Sequence, residues 1–226
     1  MGRVSVWQKW RSYFTEVSLM KTASELNPNL ELKLVKGQFQ LCTENAIYSY
    51  GLKYDNFDSA FELIPWSTLA VKKALVLGLG TGSIMELIER KYKQMIEFDC
   101  VEYDREVITI FDEWVKPKLS SKILLIQEDA FDFCKQNKKK YDLICVDLFL
   151  DSWVPDQFET IEFLEFLKSQ LNPEAILIFN RLADRENELK KNEFFVRTKF
   201  SKVFTQYDIL KLDTNWMFFN RTLKKN

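Results

Sequence analysis

The sequence contains no histidine, and this absence excludes several kinds of catalytic site. A Ser-His-Asp or Cys-His arrangement, an HExxH zinc site and a His-ligated haem all require an imidazole. Any acid–base chemistry must therefore come from Asp, Glu, Lys, Tyr or Cys.

Glycine is scarce as well, with 6 in 226 residues. The longest apolar runs, such as residues 175–179, are too short to span a bilayer.

The charge balance and the cysteines narrow the class of protein further. With 32 basic and 33 acidic residues the net charge is −1, whereas a nucleic-acid partner normally requires a basic surface. The 4 cysteines fall at no metal-ligand spacing, which predicts buried thiols in a reducing compartment and no metal site. We expect a cytoplasmic protein with neither a nucleic-acid nor a membrane partner.

The first 63 residues are predicted to form a separate N-terminal region. Trp7, Trp10, Phe14 and Val17 recur at helical spacing, which predicts an amphipathic helix within the first twenty residues. We expect its aromatic stripe to be buried against the rest of the chain or a second copy; a membrane surface is the less favoured alternative. Alternating residues from 30 to 50 predict a β-hairpin and a third short strand. Residues 56–69 predict a helical stretch that is interrupted at Pro65.

Residues 64–226 show a different pattern, in which short apolar runs alternate with segments of helical periodicity. Strands buried on both faces and separated by helices predict a parallel, doubly wound α/β sheet. A closing pair of strands is predicted at the end of the chain. The predicted strands cover residues 74–77, 98–101, 123–126, 143–146, 175–179, 203–212 and 215–221.

A glycine-rich turn, Gly78-Leu-Gly80-Thr81-Gly82, follows the first of these strands. Ligands of open α/β sheets bind at the carboxyl ends of the strands, where glycine lets the backbone approach them closely. Three glycines in five residues, of only 6 in the chain, favour a binding turn over a tight turn without a ligand. The spacing is not the G-x-G-x-x-G of dinucleotide sites, which weakens an NAD hypothesis.

Acidic residues end the next three strands. Glu102 could accept both ribose hydroxyls of a nucleoside, Asp129 could accept from an adenine amino group, and Asp147 lies at the mouth of the fourth strand. Each acid alone could be a helix N-cap. Together, beside a glycine turn, they favour a nucleoside site.

The order of the glycine turn, Glu102, Asp129-Ala130 and Tyr141-Asp-Leu-Ile-Cys-Val-Asp147 resembles the class I S-adenosylmethionine-dependent transferases. Within them it is similar to the spermidine synthase (polyamine aminopropyltransferase) family, over roughly residues 30–180. The resemblance implies a Rossmann-like, seven-stranded methyltransferase sheet with a small N-terminal helix and β-hairpin. It also implies a homodimer joined through the N-terminal region.

The resemblance also assigns roles to individual residues. Asp147 would be the catalytic base, and Tyr54 and Asp151 would contact the acceptor. Asp147, Asp151 and Asp156 could form an acidic pocket for a cationic acceptor, although a solvated loop explains the last two equally well. The residues expected to bind S-adenosylmethionine, or its decarboxylated form, are Gln40, Gly78, Gly80, Thr81, Gly82, Glu102, Asp129 and Ala130.

Two departures from the family pattern direct the functional prediction. The family carries an Asp, which pairs with the ammonium of the decarboxylated donor, where this chain has the neutral Thr81. Asp151 lies one residue later than the family's second acid. We therefore expect methyl transfer from S-adenosylmethionine to a small amine acceptor, ahead of aminopropyl transfer to a polyamine. A non-catalytic dimeric binding module of the same fold is the third hypothesis.

Overall fold

A computed structural model of the chain describes residues 2–43, 47–149 and 153–223. The N-terminal part forms a short helix and a four-stranded antiparallel sheet in the order β1-β2-β3-β4. The predicted hairpin is confirmed, and its turn places Lys36 and Gly37 at φ angles of 50° and 76°. These elements are α1 (Val6–Arg11), β1 (Val17–Thr22), β2 (Leu30–Val35), β3 (Gln38–Cys42) and β4 (Ile47–Ser49).

The N-terminal helix is shorter than its aromatic spacing predicts. It ends because Ser12 docks on the hairpin turn: its Oγ accepts from the Gly37 N–H at 3.0 Å, and its carbonyl accepts from the Lys36 N–H at 2.7 Å. The chain then continues into β1, which the sequence did not predict. The expected burial of the aromatic stripe within the chain is wrong, since Trp7, Trp10 and Phe14 are 65%, 55% and 75% exposed.

The second sheet has the predicted seven strands, and their order is β10-β11-β9-β8-β5-β6-β7. Strands β5 to β9 run parallel where they pair, and β10 and β11 close the sheet in antiparallel fashion. The strands are β5 (Lys73–Leu77), β6 (Glu97–Glu102), β7 (Ile123–Gln127), β8 (Tyr141–Val146), β9 (Leu171–Leu182), β10 (Asp208–Lys211) and β11 (Asn215–Phe219).

Helices connect the parallel strands and begin next to the strand ends that carry the candidate residues. Asp104 and Asp129 cap two of them: Asp104 accepts one backbone N–H of the first turn, and Asp129 accepts two. Helix α2 ends at Glu62, shortly before the interruption predicted at Pro65, because proline cannot continue the hydrogen-bond ladder. The helices are α2 (Asp55–Glu62), α3 (Ser83–Glu86), α4 (Arg105–Trp114), α5 (Ala130–Gln136), α6 (Ile161–Ser169), α7 (Glu186–Phe195) and α8 (Ser201–Val203).

Hydrophobic clusters cover both faces of the seven-stranded sheet. One cluster joins Leu32 and Leu41 of the small sheet to Phe61 of α2 and Val76 of β5. The small sheet and the large sheet therefore share a core. None of the helices in the described residues is long and apolar enough to cross a membrane.

Candidate functional site

The turn after β5 brings two strand ends into direct contact. Gly78 has a φ of 90°, and a Cβ there would lie 2.1 Å from the main-chain oxygen of Asp147. Only glycine permits this approach, because any other residue would be strained and would overlap that carbonyl. The Asp147 N–H also donates to the Leu77 carbonyl at 2.8 Å, and the Gly78 N–H donates to the Val101 carbonyl at 3.0 Å. The ends of β5, β6 and β8 are thus joined around Gly78.

Glu102 at the end of β6 supports this turn with its carboxylate. Its Oε2 accepts from the Leu79 N–H at 3.0 Å, and its Oε1 accepts from the Asp104 N–H at 2.9 Å. Burial raises the pKa of Glu102, while these backbone hydrogen bonds favour the charged form. Each carboxylate oxygen has a second lone pair with which it could accept a further hydrogen bond.

Asp129 at the start of α5 is both a helix cap and a pocket residue. Its Oδ1 accepts from the Phe131 N–H at 2.8 Å and the Asp132 N–H at 3.2 Å. Its Oδ2 accepts from the Gln157 amide at 3.0 Å. Asp129 is therefore a helix N-cap, and it also lines a pocket at the strand ends.

A pocket of about 460 Å³ opens at these strand ends. Four of the predicted residues, Gly78, Glu102, Asp129 and Ala130, line it together. Among its described lining residues four are acidic and none is basic, so its surroundings favour a cation. The other lining residues are Leu26, Val101, Tyr103, Glu128, Leu148, Phe149, Trp153, Pro155, Asp156, Gln157 and Phe158.

The N-terminal part of the chain contributes to this pocket. Leu26, in the segment between β1 and β2, lies on its wall. The same segment is attached to the end of β6, because Asp104 Oδ2 accepts hydrogen bonds from Ser24 Oγ and, at 2.9 Å, from the Asn27 amide. The pocket is therefore built from both parts of the chain.

Thr81 does not face this pocket. Its side chain is fully buried, and its hydroxyl pairs with Ser49 Oγ of β4 at 2.8 Å. Ser49 Oγ also pairs with Ser83 Oγ, so three hydroxyl groups tie the small sheet to the glycine turn. The structure therefore does not support the expectation that the neutral Thr81 side chain, by standing next to the donor, determines which donor is preferred.

The remaining turn residues and Gln40 have mainly structural surroundings. Gly80 and Gly82 have φ angles of 51° and 79°. A Cβ at Gly82 would lie 2.2 Å from the Phe111 ring, so this glycine allows α3 to pack on α4. Gln40 is buried on β3, opposite Lys33 of β2.

Asp147 lies at the end of β8 with hydrogen-bond donors on both carboxylate oxygens. The Tyr54 hydroxyl donates to Oδ2 at 2.7 Å, and the Asn180 amide donates to Oδ1 at 2.8 Å. Burial raises the pKa of Asp147 to about 6; the two donors oppose the rise, and the Glu102 charge adds to it. Burial also raises the pKa of Tyr54 well above its ordinary value, so its hydroxyl stays protonated. A carboxyl that titrates near neutrality can take up a proton.

The other predicted acceptor residue, Asp151, lies outside the described residues. Asp156 starts a short helical turn, Asp156–Glu159, and lines the 460 Å³ pocket. Within residues 2–43, 47–149 and 153–223, no group of three His, Cys, Asp or Glu side chains could hold a metal ion.

Asn180 and Gln157, which bond to Asp147 and Asp129, were not predicted from the sequence. Asn180 follows the apolar run of residues 175–179, and the pattern therefore ended the predicted strand before it. Strand β9 instead continues to Leu182 with Asn180 buried in it. A polar amide directly after an apolar run, at the same sheet edge as the acids, was the available signal.

A family model described as "Spermine/spermidine synthase domain" matches residues 62–214. A curated relative, a probable polyamine aminopropyl transferase of Bifidobacterium longum, is 28% identical over 107 residues, which are 47% of this chain and 23% of the relative. The chain spans 23% to 44% of the length of the curated relatives that it matches.

Solved structures match the fold over most of the chain. A probable spermidine synthase from Corynebacterium glutamicum has a TM-score of 0.72 and 16% identity, over 88% of this chain and 78% of that one. Human methyltransferase-like protein 13, in complex with SAH, has a TM-score of 0.60 and 23% identity, over 73% of this chain and 79% of that one. At these identities the likeness shows a common fold.

Proposed function

The chain belongs to the spermine/spermidine synthase domain family, and on this premise we propose that it transfers the aminopropyl group of decarboxylated S-adenosylmethionine to an amine of a polyamine. This was the alternative to the methyl transfer expected from Thr81. The family match favours it, and the burial of Thr81 removes the argument for methyl transfer.

The observation that carries the proposal is the placement of Asp147 beside the acidic pocket. The Asp147 carbonyl packs against Gly78, which lines that pocket, and the Asp147 carboxyl has a pKa raised to about 6. A donor held there would present its sulfonium near a group able to accept a proton. The decarboxylated donor carries two positive charges and no carboxylate, so it suits a pocket lined by four acids better than S-adenosylmethionine does.

The proposed roles of the pocket residues follow from their positions. Glu102 would accept from the ribose hydroxyls with its remaining lone pairs, and Asp129 and Ala130 would contact the adenine. Gly78 would let the main chain approach the nucleoside, with Gly80 and Gly82 shaping the turn. Thr81 would support that turn through Ser49 and not touch the donor.

The reaction would be a nucleophilic displacement at the aminopropyl carbon that is bonded to sulfur. The neutral amine nitrogen forms a bond to this carbon, and the carbon–sulfur bond breaks with its electron pair going to sulfur. The products are a thioether, methylthioadenosine, and an alkylated ammonium, whose proton passes to the Asp147 carboxylate. Tyr54 would orient that carboxylate, and Asp151 would hold a second charge of the polyamine.

Three further features belong to the proposal. We propose a homodimer joined through the N-terminal region, which would cover the exposed Trp7, Trp10 and Phe14. We also propose that residues 1–63 form an N-terminal helix and β-hairpin region and that residues 64–226 form the Rossmann-like donor-binding domain. A cytoplasmic location would supply both the donor and the polyamine.

The test compares both donors with the same protein. Calorimetric titration measures the dissociation constants of S-adenosylmethionine and its decarboxylated form, and mass spectrometry detects the products formed with a diamine. We expect the decarboxylated donor to bind at least tenfold more tightly and to yield an aminopropylated amine. Tighter binding of S-adenosylmethionine with a methylated product would establish methyl transfer instead. Donor binding without any product, in wild type and Asp147→Asn alike, would favour the non-catalytic module.

A further inference from the structure

We infer that Asn180, supported by Asn215, is a positioning residue that holds the Asp147 carboxylate in a single orientation for proton transfer. The inference rests on the proposed function, because it assigns Asp147 the role of base. It concerns residues on β9 and β11, which lie on the opposite side of β8 from the glycine turn.

The evidence is a continuous chain of side-chain hydrogen bonds. The Asn180 Nδ2 donates to Asp147 Oδ1 at 2.8 Å. The Asn180 Oδ1 accepts from Asn215 Nδ2 at 2.9 Å, and the Asn215 Oδ1 accepts from the Thr214 hydroxyl at 2.8 Å. In this series each side chain accepts a hydrogen bond from the next one, so every donor points toward the Asp147 carboxylate.

This direction determines how the Asn180 amide lies. An amide could present either its oxygen or its nitrogen to Asp147, and the oxygen would repel a carboxylate. Because Asn215 donates to the Asn180 oxygen, that oxygen is turned away from Asp147 and the NH2 group faces it. Asn215 thus acts on Asp147 through Asn180.

Burial makes the arrangement difficult to explain as ordinary packing. Asn180 is 1% exposed, within a strand of otherwise mainly apolar buried residues, and a buried amide without hydrogen-bond partners there would be destabilising. Antiparallel pairing places Met217 opposite Asn180 and Asn215 opposite Leu182, so both amides lie in the interior of the sheet. An aliphatic residue would pack at position 180 without needing any partner, but it would leave Asp147 Oδ1 without this donor.

Among the described residues, three titratable groups face Asp147 and influence its pKa or titrate beside it. They are Tyr54, which donates to Oδ2, Glu102, whose charge disfavours the ionised Asp147, and the buried Cys145 thiol. Of the hydrogen bonds to Asp147, those from Asn180 and Tyr54 both favour the charged carboxylate. Removal of the Asn180 donor therefore raises the pKa of Asp147, and a larger fraction of the carboxyl is protonated at neutral pH.

The experiment uses three variants with apolar replacements. Asn180→Leu removes the direct donor, and Asn215→Leu removes only the support behind it. Asn192→Leu is the matched control, because Asn192 is equally buried but bonds to Arg181 and the Leu182 carbonyl. The readout is the carboxyl carbon-13 NMR titration of Asp147 in the ligand-free protein, assigned by comparison with Asp147→Asn.

We expect the Asp147 titration to move up by about one pH unit or more in Asn180→Leu. The shift in Asn215→Leu should be smaller and in the same direction, and Asn192→Leu should titrate like wild type. If Asn180→Leu does not fold, the smaller upward shift of the Asp147 pKa in Asn215→Leu is the test of the inference. Titrations that coincide with wild type in the folded variants would overturn the inference.

Kinetics distinguish a positioning role from a structural one. With a diamine acceptor and the decarboxylated donor, Asn180→Leu should lower kcat at pH 7 at least tenfold and shift the acid limb upward. The donor KM should stay within twofold of wild type. A rise in donor KM with an unchanged pH profile would contradict the inference. The NMR result needs no turnover, so it remains decisive if the proposed reaction itself fails.

Discussion

Replacement of Glu102 by Gln tests whether one carboxylate both supports the glycine turn and binds a nucleoside. Glu102 accepts one backbone N–H on each oxygen, from Leu79 and from Asp104. A Gln side chain has only one oxygen, so its NH2 group must oppose one of these N–H donors. The substitution should therefore remove one charge-assisted hydrogen bond, worth about 1.5–3 kcal/mol of the free energy of unfolding.

The same change should weaken nucleoside binding by a separate amount. Two neighbouring ribose hydroxyls need two acceptors, and the amide of the Glu102→Gln variant would offer one. The loss of a hydrogen bond to a charged acceptor corresponds to a dissociation constant raised about tenfold to a hundredfold. Methylthioadenosine is the suitable ligand for calorimetry, because it carries the nucleoside without the tail that distinguishes the two donors.

Asp142→Asn provides the matched control at the opposite end of the strands, where β8 begins. Asp142 also has both carboxylate oxygens engaged: Oδ2 accepts from the Lys72 and Lys73 N–H groups, and Oδ1 accepts from the Asn172 amide. It is not among the described residues that line the 460 Å³ pocket. Urea denaturation should show destabilisation of both variants, whereas only Glu102→Gln should lose affinity. Equal dissociation constants for the two variants would show that Glu102 only supports the turn.

Further predictions concern the glycine turn, the titration of Asp147 and the N-terminal aromatic residues. Gly78→Ala should destabilise the protein by about 2–4 kcal/mol in urea, because its Cβ would lie 2.1 Å from the Asp147 carbonyl oxygen; Gly80→Ala, at a φ of 51°, should cost only about 1 kcal/mol. The transfer rate should fall as the pH drops through about 6, where Asp147 gains its proton, and an unchanged rate at pH 5 would exclude it as the base. Since the folded pKa of Asp147 lies above its ordinary value, its contribution to stability is full below about pH 4 and is lost as the pH rises through about 6. Replacing Trp7, Trp10 and Phe14 together by Gln should dissociate the proposed dimer in analytical ultracentrifugation, and an unchanged mass would place the interface elsewhere.

The parallel sheet could be predicted because each strand is a short apolar run followed by a helical pattern. Those patterns are local, and the glycine turn and the acids at Glu102 and Asp129 lie within them. The length of the N-terminal helix was overestimated because a contact that is not local ends it. The spacing of Trp7, Trp10 and Phe14 resembles a helix face, but Ser12 binds the hairpin turn, which is distant in the sequence, and so ends the helix.

The site residues that sequence patterns could not place depend on packing between distant segments. The direction of the Thr81 hydroxyl is set by Ser49, 32 residues earlier, and the direction of the Asn180 amide by Asn215, 35 residues later. No periodicity encodes such pairs. Asp129 is an intermediate case, since its capping role follows from local sequence while its contact with Gln157 does not.

The segment between β1 and β2 would connect the proposed nucleoside binding to local opening of the chain. Leu26 forms part of the pocket wall, while the Ser24 N–H donates to the Asn27 carbonyl at 2.8 Å and the Asn27 N–H donates to Ser24 Oγ at 3.0 Å. A ligand that requires this wall cannot bind while the segment is open, so binding and opening are thermodynamically linked. Hydrogen exchange at the Ser24 and Asn27 amides should slow by about a hundredfold when the ligand is at a hundred times its dissociation constant, which corresponds to about 2.7 kcal/mol. These two amides would then report occupancy of the pocket without any substrate being turned over.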